Sequence, residues 1–126
     1  MVSTTIEQTL TFEELEDLNI IDYFDSINQG KFEQTAALFA EDGELLAPFE
    51  QPIVGRNNIQ AYLSQEAPGM KLFPKSAIVT SSDINRQIQI KGKVKTSLLT
   101  VDVGWLFSLN HQEKINTAKI KLLASP

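Results

Sequence analysis

The spacing of hydrophobic positions changes period partway along the chain. Leu15, Leu18 and Ile21, with Ile20, Tyr23, Phe24 and Ile27, recur at intervals of three and four. That spacing predicts a long helix with a broad apolar face. Thr11 and Glu14 form a T-x-x-E capping box, so the helix is expected to start there, behind a loose polar arm over residues 1–10. Gly30 suits the left-handed position that ends a helix. A second helix is expected over about 31–40, with Phe32, Ala36 and Phe39 inward, broken by Glu41-Asp42-Gly43. A short strand over 44–49 and a connector over 51–55 precede a third helix over about 56–65. There Ile59, Tyr62 and Leu63 are apolar, and Pro68-Gly69 stops it.

Beyond Gly69 the period falls to two. Strands are expected over 70–81, 84–96, 98–109 and 114–124, with a hairpin loop at 110–113. Ile88, Ile90, Gly92 and Val94 alternate with Gln87, Gln89, Lys91 and Lys93, so one face of that strand is buried. Phe73-Pro74 predicts an edge or a bulge, because proline cannot donate to a ladder. Helices grouped ahead of an antiparallel sheet define an α+β fold. Strands this long must twist and curl. The expected architecture is three helices packed on a strongly curved antiparallel sheet around a conical interior. Residues 1–14 are the arm and helix start, and residues 15–126 the domain proper.

Composition then narrows the chemistry. A chain of 126 residues is one domain by length. The net charge of -5, with basic residues that form no run, argues against nucleic acid and against adsorption to anionic lipid. There is no cysteine, which removes disulfides and thiolate chemistry. His111 is the single histidine, so no multi-histidine metal site can form and no metal is expected. No signal-peptide pattern or membrane-length apolar run is present. The expectation is a cytoplasmic protein without stable membrane insertion.

The element order resembles the NTF2-like, or cystatin-like cone, superfamily. Particular segments are similar to the C-terminal domain of the orange carotenoid protein. Residues 22–28 (DYFDSIN) resemble its first helix, 38–43 (LFAEDG) its second-helix exit, and 48–55 (PFEQPIVG) its proline-bracketed connector. MKLFP at 70–74, GKVKT at 92–96, WLFSLN at 105–110 and LLASP at 122–126 follow in the same order. The resemblance covers about residues 20–126.

It implies a free-standing, non-enzymatic carrier of a keto-carotenoid, related to photoprotection in cyanobacteria. It also implies Tyr23 and Trp105 as the pair that donates hydrogen bonds to the ring ketone of the pigment. Both combine a large apolar body with a single polar donor that seeks a partner when buried. Ile27, Leu72, Leu98 and Phe107 are candidate pocket liners. A C40 polyene is longer than such a domain can enclose. A homodimer is therefore expected, or a helical carotenoid-binding partner protein that covers the other half. Free-standing members often carry a cross-linking cysteine where this chain has Ala67, and the family's Pro-Trp pair is replaced by Ser97-Leu98.

Each residue also has a plainer reading. Tyr23 and Trp105 sit where core packing alone would place them. The same holds for Ile27, Leu72, Leu98 and Phe107. His111 lies in a turn, as a solvated loop histidine would. Asp22 and Asp25 flank Tyr23 and raise a second hypothesis, an enzyme of the SnoaL or ketosteroid isomerase type with a carboxylate base beside a tyrosine donor. Their place beside the polar helix face, with no second acid or histidine to complete a dyad, weighs against it. A third hypothesis is an NTF2-like dimerisation domain whose pocket is filled and takes no ligand.

Overall fold

A computed structural model describes residues 4–83 and 85–123. Among these residues seven strands form one sheet in the order β1-β4-β5-β6-β7-β2-β3, and three α-helices pack on one face of it. The strands are β1 Ile6–Thr11, β2 Phe39–Leu46, β3 Ile53–Val54, β4 Lys71–Ser81, β5 Arg86–Lys95, β6 Thr100–Leu109 and β7 Ile115–Leu122. The helices are α1 Leu18–Asn28, α2 Phe32–Ala37 and α3 Arg56–Glu66. The α+β class holds, with one addition: β2 runs parallel to β7, while the other pairings are antiparallel.

The first departure from expectation lies at the N-terminus. Residues 6–11 are no loose arm but an edge strand, paired in full register with β4 from Ile6–Ser81 to Thr11–Ser76. Most of its side chains are exposed on both faces, which hides the period-two signal of a half-buried strand. The capping box does form: Glu14 N–H donates to Thr11 Oγ1, and Thr11 N–H to Glu14 Oε1 at 2.9 Å. It heads only one 3-10 turn, Phe12–Glu14. Leu15 is extended and buried, and the true helix starts at Leu18. The Asp17 carboxylate makes no cap; it takes both arms of Arg86 at 2.8 and 2.9 Å, pinning the helix start to β5.

At the other end of α1, Gly30 (φ +71°) takes the left-handed turn expected of it. Gly30 N–H reaches Ile27 O and Lys31 N–H reaches Ser26 O, the two bonds of a Schellman motif. The buried Ser26 and Thr35 hydroxyls then lie 2.5 Å apart and lock α1 to α2, and Thr35 Oγ1 also reaches the Lys31 carbonyl oxygen.

The second helix is shorter than its pattern suggests, because Phe39 and Ala40 already belong to β2. Glu41-Asp42-Gly43 does not break a helix. It lies inside β2, where the register against β7 shifts between Phe39 and Glu44. A Cβ on Gly43 would stand 2.8 Å from the Ile115 carbonyl oxygen, so the close approach of the two strands needs glycine. Pro74 marks a bulge in β4, with the register to β5 shifting between Pro74 and Ser76. The strand itself is interior, between β1 and β5.

The core lies between the helices and the inner sheet face. Ile20, Phe24, Phe39, Leu45, Ile59, Ile88, Ile90 and Ile115 are fully buried there. At one end the sheet gathers the start of β4, the end of β5, the start of β6 and the ends of β7 and β2. The inner face opens at that end.

Candidate functional site: an apolar cavity with two unpartnered donors

Helix α1 presents Tyr23 and, one turn on, Ile27 toward the sheet. Trp105 stands in the middle of β6, in register with Ile90 of β5 and Ile120 of β7. Leu72 opens β4 and meets α1 through Asn28. These four side chains share one cavity of about 260 Å³. Its floor and walls are otherwise apolar, with Leu45, Leu63, Val94, Val103 and Ile120 among them. Tyr62, Glu66 and Thr96 are the polar residues toward its mouth. The volume approaches the lower end of ordinary small-molecule sites, about 300–1,000 Å³.

Two donors are left unspent in this wall. Tyr23 is 1% exposed and Trp105 2% exposed. Among the described residues, neither the Tyr23 hydroxyl nor the Trp105 indole N–H has a hydrogen-bond partner. Neither atom is closed off from water, and both residues line the cavity. The two residues are buried, yet their polar atoms remain open to an acceptor in the cavity.

Aromatic packing holds the pair in place. Phe24 meets Trp105 edge-on at 4.9 Å between ring centroids and Tyr23 at 5.2 Å. Phe107 meets the Tyr23 ring edge-on at 4.9 Å. Such T-shaped contacts favour one ring orientation over others. Burial pushes the Tyr23 hydroxyl well above its usual pKa, and neighbouring Tyr62 adds to this. Tyr23 thus stays a neutral donor. Tyr62 is also raised, first by burial, then by the nearby Glu50 and Glu66 carboxylates.

The structure brings Tyr23, Ile27, Leu72 and Trp105 together and separates the other two candidates. Phe107 is fully buried behind Tyr23, as its support. Leu98 is 90% exposed at the β5–β6 hairpin tip, outside the cavity lining. Thr96 Oγ1 accepts from both Leu98 and Leu99 N–H and donates to the Leu99 carbonyl. The tight loop this makes turns Leu98 outward. Tyr62, expected only as an apolar position of the third helix, is a wall residue; its polar tip on an apolar helix stripe was the available signal. Ala67 is buried in the same wall. Asp22 and Asp25 lie outside the lining, and His111 is exposed in its hairpin. Among the described residues no cluster of histidine, aspartate and glutamate could hold a metal ion, and no helix is long and apolar enough to cross a membrane.

Helices over one face of a long-stranded sheet, enclosing an apolar pocket, define an NTF2-like fold. Solved structures agree at the level of fold. A cystatin-like domain from Nostoc punctiforme superposes with TM-score 0.76 at 17% identity over 86% of this chain and 75% of its own. A ketosteroid isomerase-like protein from Erwinia carotovora atroseptica does so at 0.68 and 14%, over 86% and 94%. No protein-family model matches the chain.

Closer likeness is specific. The orange carotenoid-binding protein of Limnospira maxima is 38% identical over 112 residues, 85% of this chain and 35% of that protein. Its Synechocystis counterpart is 34% identical over 128 residues, 98% of this chain and 40% of that protein. The structure of the orange carotenoid protein of Anabaena (Nostoc) sp. PCC 7120 binding canthaxanthin superposes with TM-score 0.85 at 32% identity, over 95% of this chain and 40% of its own. The chain is homologous to the C-terminal region of the orange carotenoid proteins and belongs to that family. It spans well under half the length of these relatives.

Proposed function

We propose that this chain is a non-enzymatic carrier that holds one ring end of a keto-carotenoid in its cavity. The observation that carries the reading is the pair of unpartnered donors, Tyr23 and Trp105, in an otherwise apolar wall. A ketone oxygen accepts two hydrogen bonds and carries no charge, so it suits two neutral donors in an apolar site. A carboxylate ligand would need a cation, and among the described residues no lysine or arginine lines the cavity. The relative from Anabaena that binds canthaxanthin, itself a diketone carotenoid, supports the same class of ligand.

A cavity of about 260 Å³ encloses a ring end and not a whole C40 polyene. The rest of the pigment must project and be covered, because soluble proteins avoid large exposed apolar patches. The loaded form is then a homodimer meeting mouth to mouth, or a complex with a helical carotenoid-binding protein. As a carrier it works in the cytoplasm, with a role related to photoprotection.

The test is production of the chain in cells that make canthaxanthin. A coloured, soluble protein whose absorption differs from free pigment is the expected outcome, with sedimentation reporting two chains per pigment. A colourless product from pigment-rich cells would overturn the reading.

A further inference from the structure

The cavity has the size of one particular piece of a carotenoid. An apolar protein cavity of about 150 Å³ takes up benzene, roughly 25 Å³ for each carbon. At that filling the 260 Å³ or so lined by Tyr23 and Trp105 hold about ten non-hydrogen atoms. A trimethylcyclohexenone ring with its oxygen, the end group of canthaxanthin, is a group of this size. The chain of double bonds beyond the ring finds no further room inside.

A third donor stands farther out in the same wall. Tyr62 lines the cavity from α3 and is part-exposed, where Tyr23 is 1% exposed. Among the described residues the Tyr62 hydroxyl has no hydrogen-bond partner. Thr96, the other outer hydroxyl of the lining, is already engaged. Its Oγ1 accepts from Leu98 and Leu99 N–H and donates to the Leu99 carbonyl. Burial and the Glu50 and Glu66 carboxylates disfavour the Tyr62 phenolate, so the hydroxyl keeps its proton. A polyene carries no oxygen along its length and offers this donor nothing. An intact pigment would therefore engage the deep pair and leave Tyr62 unused.

We propose that the cavity is a complete site for a keto-ring fragment whose short tail ends in a ketone. Such a C13 fragment forms when dioxygen adds across a polyene double bond near the ring and that bond parts into two carbonyls. The ring fills the cavity with its ketone on Tyr23 and Trp105, and the tail ketone accepts from Tyr62. The site rests on the ring-ketone role proposed above for Tyr23 and Trp105. It adds a second class of ligand and the residue that selects it. Glu50 and Glu66 sharpen the choice, because a tail ending in a carboxylate would meet their negative charge beside Tyr62. No polyene projects from the fragment, so binding it exposes no large apolar patch and calls for no covering partner.

The experiment titrates pigment-free protein with 4-oxo-β-ionone and follows the emission of Trp105, the only tryptophan of the chain. Free tryptophan titrated alongside corrects for light absorbed by the ligand. Saturable quenching by one ligand per chain is expected, half-complete below about 1 mM. Sedimentation should show no gain in mass on loading. The comparison ligand is the same ring with the tail carbonyl replaced by methylene. The wild type should prefer the tail ketone by about 2- to 13-fold, and Tyr62→Phe should abolish that preference. Tyr23→Phe should weaken both ligands alike. The wild-type preference needs no variant, so the proposal stays testable even if Tyr62→Phe folds poorly. Absence of saturation up to about 1 mM, no preference for the tail ketone, or a preference that survives Tyr62→Phe overturns it. So does a gain in mass on loading with the fragment. Canthaxanthin uptake by the same preparation separates the two ligands. Pigment bound without fragment overturns this proposal alone, fragment bound without pigment overturns the carrier alone, and neither bound overturns both.

Discussion

The side chain of Asn28 brackets the main chain of Leu72. Its Nδ2 donates to the Leu72 carbonyl at 2.9 Å, and its Oδ1 accepts the Leu72 N–H at 2.7 Å. The amide thus replaces a neighbouring strand for one residue, at the point where α1 ends and β4 begins. Tyr23 stands five residues before it on α1, and Leu72 itself forms cavity wall. The bracket fixes the distance between the donor helix and the mouth of the sheet.

Replacing Asn28 by Ala should therefore cost more than an ordinary surface change. It strands a part-buried N–H and carbonyl at once, and each lost partner costs about 1–3 kcal/mol if water cannot enter. Water reaches this end of the sheet, so a total of about 1–3 kcal/mol is expected, a fall in Tm of about 4–10 °C. Thermal unfolding followed by circular dichroism checks it. An unchanged Tm would show that the bracket is not a stabilising contact.

How much of this could be read in advance follows physical lines. The strong periodic segments gave β4 to β7 and α3 within a residue or two, because one buried face imposes its period on the sequence. Edge strand β1 escaped notice since its side chains are largely exposed on both faces. The β2 start escaped because its pairing with β7 is parallel and distant in sequence, so nothing local signals it. Tyr23 and Trp105 were legible as amphipathic residues, but not the absence of a partner for either donor within the described chain. Leu98 was misplaced because a hairpin side chain takes its direction from the loop hydrogen bonds of Thr96, which hydrophobicity does not encode.

Tyr23→Phe separates a ligand donor from a core tyrosine. A hydroxyl bonded inside the fold contributes about 1 kcal/mol, so its loss should lower stability. The Tyr23 hydroxyl has no such bond among the described residues, so the variant should melt at the wild-type temperature or higher. Pigment binding should instead weaken by about 0.5–1.5 kcal/mol, roughly 2- to 13-fold, with a shift in absorption. Unfolding and pigment titration on the same preparation give both numbers. A destabilised variant with unchanged pigment affinity and spectrum would refute the donor role.

The raised tyrosines set an alkaline limit. Tyr23 and Tyr62 titrate above the usual 10.0 when folded, chiefly because burial disfavours the phenolate. Below that value both states are protonated and stability is flat. Above it the unfolded chain releases protons that the folded chain retains, so stability falls as pH rises. Urea midpoints should hold level from neutral pH to about 9 and then decline. Tyr23→Phe should shallow the decline, since it removes the more deeply buried phenol. An identical slope in that variant would mean that Tyr23 deprotonates as readily folded as unfolded.

The isomerase-like neighbours make a test of catalysis necessary. Proton abstraction from a bound ketone needs a base within about 2.6–3.2 Å of the substrate proton, directly or through one water. Asp22 and Asp25 flank Tyr23 in sequence, yet neither belongs to the cavity wall. Asp25 is exposed on the outer side of α1. Glu66 is the one carboxylate among the described lining residues, and it lies exposed, beside Tyr62. A base held in water at the rim lacks the desolvated setting that tunes catalytic carboxylates. The two deep donors could polarise a ketone, but no proton acceptor stands beside them in the described wall. We therefore expect no turnover of a Δ5-ketosteroid above the uncatalysed rate, while the same steroid competes weakly with pigment for the cavity. Turnover abolished by Asp22→Asn, Asp25→Asn or Glu66→Gln would replace the carrier by an enzyme and name its base.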